Sequence, residues 1–266
     1  MERRDFLSLL PVPVFAGLAG LNDDQPAPRQ GSPDILLWWQ YSLKTGTQPR
    51  RVADFLQNAA VPALNRAGAS PVGVFEVTFG LPTPTVFVLA PFATPGALFS
   101  LEEALDKDAQ FAAAGSAYLG ASAADPAFVR QDVAILAAFP QVPHIQVPAA
   151  TAAKGPRLFE LRTYESPSER AHRAKVRMFA EMGELEIFRK AGLTPVFFSR
   201  TAIGPRMPSL VYMLVHENMA AREKSWDNFR NDPDWKKLAA TPGYTDPEIV
   251  SNITTIFLRP ASYSQI

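Results

Sequence analysis

The sequence predicts an α+β fold made of two β-α-β-β-α-β repeats whose sheets cover each other, and three observations carry that prediction. Ala67-Gly68-Ala69-Ser70-Pro71-Val72 recurs as Ala191-Gly192-Leu193-Thr194-Pro195-Val196, a shift of 191 − 67 = 124 residues. The same shift lays the apolar run Thr85 to Leu89 on Ser209 to Met213, so the chain is a tandem duplication. Within each copy, short runs of strand-like alternation and longer runs of helical spacing follow one another in the same order.

The second copy shows that order most clearly. Arg157 to Tyr164 alternates as a strand, and Ser168 to Ala191 has helical spacing with Val176, Phe179, Met182, Ile187 and Phe188 on one side, stopped by Gly192. Thr194 to Ile203 is a second strand, Gly204-Pro205-Arg206-Met207-Pro208 a turn, and Leu210 to His216 a third strand. Met219 to Phe229 is a helix, Asp232-Pro233-Asp234-Trp235 opens a short one, and Ile249 to Leu258 is the last strand. The first copy repeats the series over Ile35 to Tyr41, Arg51 to Ala67, Val72 to Phe79, Thr85 to Pro91, Leu101 to Tyr118 and Val129 to Phe139.

Each such ferredoxin-like unit forms a four-stranded antiparallel sheet with both helices on one face, which leaves the other face in need of cover. Alternating apolar residues such as Val86, Val88, Leu210 and Tyr212 imply that both faces are covered. The expected architecture is therefore two ferredoxin-like repeats packed sheet to sheet, an intramolecular dimeric α+β barrel. Residues 33–142 form the first repeat, 143–156 a proline-containing linker, and 157–266 the second repeat.

Ahead of the repeats, Met1-Glu2-Arg3-Arg4-Asp5-Phe6-Leu7 and the apolar stretch Leu9 to Leu21 resemble a twin-arginine export signal. Residues 1–30 are thus read as export signal and spacer. The apolar run is too short, and too broken by Pro11 and Pro13, to be a spanning helix. The expectation is a bacterial protein, periplasmic or secreted, with no stable membrane insertion once the signal is removed.

Composition narrows the function classes. The 266 residues are 47% hydrophobic, enough for a sizeable core, and 26 basic residues balance 26 acidic ones, so nothing points to nucleic acid. Residues 32–150 carry 6 basic and 9 acidic residues (6 − 9 = −3), whereas 151–266 carry 17 and 13 (17 − 13 = +4), so the second repeat is the more cationic. The absence of cysteine excludes thiolate catalysis and Cys-based metal sites. No metal site or cofactor is expected, because His144, His172 and His216 lack the spacing of a ready-made ligand set. No Gly-x-Ser-x-Gly elbow and no phosphate-binding glycine loop is present.

Glu160-Leu161-Arg162-Thr163-Tyr164, the helix ending at Gly192, Leu210 to Leu214, Met219-Ala220-Ala221-Arg222-Glu223, Trp226, Asp232-Pro233-Asp234-Trp235 and Leu258-Arg259-Pro260 together resemble the NIPSNAP family. The resemblance spans residues 158–264 and reaches the first half only through the repeat. It implies the dimeric α+β barrel fold, whose wider group includes cofactor-free monooxygenases, isomerases, haem enzymes and ligand binders, but it implies no particular reaction. This chain has Glu181-Met182-Gly183-Glu184 where many members carry a histidine, so no histidine role is carried over there.

Candidate site residues come from differences between the copies. Glu160, Arg162 and Tyr164 share one strand face by period two, where the first copy has Leu37, Trp39 and Tyr41. His216, Arg200 and Arg222 stand where it has Phe92, Glu76 and Leu98. Arg162, Tyr164, Arg200, Tyr212, His216 and Arg222 are therefore expected to line a pocket for a small organic ligand in the barrel of the second repeat. Trp38, Trp39, Phe75 and Phe92 are expected to wall it. His216 is the candidate proton-transfer group and the one available axial ligand for a haem. The alternatives are an Arg162–Glu160 ion pair on a sheet face, with the barrel as a non-enzymatic scaffold or interaction module, or a cofactor-free monooxygenase. The unit is expected as a monomeric pseudo-dimer or a higher homo-oligomer.

Overall fold

A computed structural model describes residues 32–151 and 153–266. The export segment, residues 1–30, lies outside the described residues. The first repeat runs through β1 (Ile35–Ser42), α1 (Thr47–Phe55), a π-turn over Leu56–Ala60 that continues into α2 (Val61–Arg66), β2 (Gly73–Phe79) and β3 (Thr85–Phe92). Three helices, α3 (Pro95–Phe99), α4 (Leu101–Asp106) and α5 (Ala109–Leu119), then lead to β4 (Arg130–Ala138). The second repeat comprises β5 (Leu158–Glu165), α6 (Glu169–Ala180), α7 (Glu184–Ala191), β6 (Thr194–Ile203), β7 (Ser209–His216), α8 (Met219–Asn231), α9 (Pro233–Ala239), α10 (Asp246–Ile249) and β8 (Asn252–Pro260).

Local chemistry sets these boundaries. The helix expected over Ser168 to Ala191 is two helices, because Gly183 takes φ +91°, a left-handed conformation that breaks the hydrogen-bond ladder. Its far end lies at Gly192, φ +85°, as expected from the sequence. The helix expected over Leu101 to Tyr118 is likewise divided, with Asp108 capping α5 by accepting from the Phe111 amide at 2.9 Å. Ile249 ends α10 instead of opening the last strand.

The eight strands form one closed antiparallel barrel in the order β1-β3-β2-β8-β5-β7-β6-β4. Each repeat supplies four adjacent strands, and the two sheets also join edge to edge through β2–β8 and β4–β6. Closure leaves neither sheet with a free edge. Across one seam Glu76 opposes Arg259, and Arg259 Nη2 lies 2.6 Å from Glu76 Oε2. β3 and β7 begin at Thr85 and Ser209, which is the 124-residue shift read from the sequence.

Period-two alternation sorts side chains into three cores. The barrel interior holds Leu36, Trp38, Phe75, Phe87, Phe159, Leu161, Phe197, Met213 and Leu258. Under the first repeat's helices lie Leu37, Tyr41, Val74, Val88 and Phe92, and under the second repeat's helices Tyr164, Phe198, Leu210, Tyr212 and Leu214. The Ile266 side chain is buried in the barrel beside Gly73 at the start of β2. Among the described residues no helix is long and apolar enough to cross a membrane.

Candidate functional site

β5 points Glu160, Arg162 and Tyr164 outward, toward the helices, and Phe159, Leu161 and Thr163 inward. Glu160 is fully buried and is the centre of a polar cluster between β5, β7 and α8. Its Oε1 accepts from Arg162 Nη1 at 3.0 Å and Arg222 Nη2 at 2.8 Å. Its Oε2 accepts from Trp226 Nε1 at 2.8 Å and Arg222 Nε at 3.1 Å, and lies 3.2 Å from His216 Nε2. Burial alone would raise the Glu160 pKa. Hydrogen bonds from His216, Arg222 and Trp226, with the Arg162 charge, outweigh that and hold the carboxyl well below the ordinary range.

The cluster extends along the sheet. Arg162 Nη2 donates to the Tyr164 hydroxyl at 3.1 Å, and its guanidinium lies 4.6 Å from the Trp226 ring centroid. The Tyr212 hydroxyl donates to that of Tyr164 at 3.3 Å. Of the six expected site residues, Arg162, His216 and Arg222 meet on Glu160 and Tyr164 and Tyr212 join them through Arg162, while Arg200 is exposed. A carboxylate holding this many donors has no capacity left for a ligand or a substrate proton. His216, with its side chain buried against Glu160, leaves no space for a haem on its imidazole.

The expected location needs correction. None of the six lines the cavity that opens into the barrel: strand parity turns Arg162, Tyr164, Arg200, Tyr212 and His216 away from the interior, and Arg222 sits on α8 outside the barrel. The aromatic wall divides in the same way: Trp38 and Phe75 face the interior, whereas Trp39 and Phe92 pack under the first repeat's helices. The sequence singled out Trp226 and the Arg162–Glu160 pair, but not the indole's donation to Glu160 or the carboxylate's central role. The available signal was the i, i+4 spacing of Arg222 and Trp226, which sets both on one helix face toward a shared acceptor.

The cavity itself holds about 520 Å³ at the barrel end that carries the β2–β3 and β6–β7 turns. Its floor is Trp38 stacked on Phe87 at 4.8 Å, with Leu136, Val211 and Ile256 beside them. Above the floor Gln40, Thr163, Thr201 and Ser209 form a neutral polar collar, in which the Thr201 and Ser209 hydroxyls are 2.8 Å apart. Three charged side chains also line the cavity: Arg206, which donates to Thr254 Oγ1 at 3.3 Å, and the Arg130–Asp132 pair at 2.9 Å. Both repeats contribute to this lining. An apolar floor under hydrogen-bonding groups suits a small organic molecule that enters apolar end first.

A closed barrel of two β-α-β-β-α-β repeats in one chain, with its helices outside, defines an α+β barrel protein of the pseudo-dimeric kind. Residues 159–265, which make up its second repeat, match the model of the NIPSNAP family. In fold the chain is similar to a candidate monooxygenase from Lactobacillus acidophilus (TM-score 0.55, 10% identity, covering 86% of this chain and 94% of that one). It is also similar to one from Fusobacterium nucleatum (TM-score 0.53, 7% identity, 86% and 93%). A NIPSNAP-like domain protein from Burkholderia xenovorans aligns over 41% of this chain and 90% of its own at 19% identity, TM-score 0.37. No curated protein matches the chain by sequence.

Proposed function

We propose that this protein binds a small organic molecule in the open end of its barrel, with the ligand's apolar part on Trp38 and Phe87 and its polar edge at the Gln40 and Thr163 collar. The cavity of about 520 Å³ supports this reading, since the rest of the interior is filled by side chains such as Phe75, Phe159 and Phe197. A pure scaffold would gain packing from a filled barrel, and this one leaves a ligand-sized space. We place the protein outside the cytoplasm, on the support of Arg3-Arg4 and the apolar run behind them.

The test uses protein purified without denaturation. Native mass spectrometry would show a retained molecule, and 2-naphthol, a neutral bicyclic probe, would quench Trp38 fluorescence on binding. Val211→Trp fills the cavity and should abolish the quenching. Saturable quenching of equal affinity in wild type and folded Val211→Trp would overturn the assignment.

A further inference from the structure

The geometry points to a second, separate ligand site: a pocket between the first repeat's sheet and helices that takes a small uncharged molecule of about one aromatic ring with one hydrogen-bond-accepting oxygen. Duplication explains why the space exists. In the second repeat Phe198 and Tyr212 oppose each other on neighbouring strands, stack at 4.7 Å, and fill the gap beneath the helices. The residues 124 positions earlier are Val74 and Val88, which oppose each other in the same register. Two aromatic rings are thus replaced by two isopropyl groups. Beside Val88, the counterpart of Tyr212, the first repeat has a pocket of about 220 Å³.

The walls favour occupancy by something other than water. Trp39 and Val88 form the floor, and the π-turn presents Leu56 and Ala60 from above, a local widening of the helix of a kind often found at ligand sites. No charged side chain lines the pocket. At one edge the Tyr41 hydroxyl accepts from Gln131 Nε2 at 3.0 Å and pairs with the Tyr118 hydroxyl, so one of the two phenol protons is used between them and the other is left to donate. Burial pushes both phenols up, so both protons stay on their oxygens. An apolar cavity of roughly 150 Å³ stays dry and binds benzene. This pocket is open to solvent on one side, and with an apolar floor and a donor at its edge it fits a substituted ring bearing a carbonyl.

The pocket shares no lining residue with the barrel cavity, so the two can be blocked independently. Para-fluoroacetophenone, titrated into the full chain and followed by fluorine NMR, should bind saturably. Val88→Phe restores bulk found in the second copy and should weaken binding at least about tenfold. Tyr41→Phe should weaken it roughly three- to tenfold, while binding of fluorobenzene, which has no carbonyl, stays unchanged. Val211→Trp should leave the titration as in wild type. If Val88→Phe does not fold, Ala60→Leu fills the same space from the helix side. Absence of saturable binding in wild type, equal affinity in the folded filled variant, or loss of binding in Val211→Trp alone would each overturn the inference.

Discussion

Trp226 donates its indole N–H to Glu160 at 2.8 Å and so ties α8 to β5 across 66 residues of sequence. Because that carboxylate also holds Arg162 and Arg222, removing it strands two partly buried guanidinium groups. Glu160→Ala should lower stability by about 3–5 kcal/mol, read from urea denaturation. A loss below about 1 kcal/mol would show that water satisfies the arginines. Arg162→Ala should likewise cost stability while leaving 2-naphthol affinity at the barrel cavity intact.

Two glutamates make stability depend on pH in opposite senses. Glu160 is depressed when folded, so its contribution is present above the unfolded value near 4.5 and is lost as pH falls below it. Glu184 is the reverse case. Burial pushes it up to about 7, and Lys175, with its Nζ 3.6 Å away, offsets this only in part. Between about 4.5 and about 7 the folded state holds the extra proton, so stability falls as pH rises through that window. Glu184→Gln should flatten the fall, which is on the order of 3 kcal/mol. Thermal melts of both proteins across the window check it, and parallel curves would refute it.

Residues 156–266 expressed alone should dimerise or aggregate. Their inner sheet face, including Phe159, Leu161, Phe197 and Met213, would be bare, and β6 and β8 would become unpaired edges. Sedimentation of a soluble monomer would contradict the mutual covering of the two sheets.

Export should depend on Arg3 and Arg4. Replacing both with lysine should hold the precursor in the cytoplasm of a bacterial host, scored by fractionation and immunoblot. Undiminished export would remove the basis for an extracytoplasmic location.

The barrel was legible because its signals are periodic and doubled: the repeat fixed the register of β3 against β7, and alternation along β5 separated Leu161 from Arg162. Which of those two faces met the helices was not legible, since both faces of β5 are covered and each carries apolar residues. The choice was made by Phe159 and Leu161 packing into the barrel, a tertiary fact. The cavity was missed for a related reason. Gln40, Thr163, Thr201 and Ser209 are ordinary strand residues, and four strands from two repeats converge before they become a collar.

In a two-fold assembly of identical chains every substitution is made at two places at once. Joining the halves in one barrel releases that constraint, since a change at Glu160 need not be matched at Leu37, nor one at Tyr212 at Val88. One half can harden around a buried carboxylate while the other hollows out, and neither change is copied by symmetry into the shared interior. The mouth at the end that carries the β2–β3 and β6–β7 turns is therefore formed by unlike halves, so a ligand bound there as proposed is expected at one per chain, held in one orientation instead of two equivalent ones.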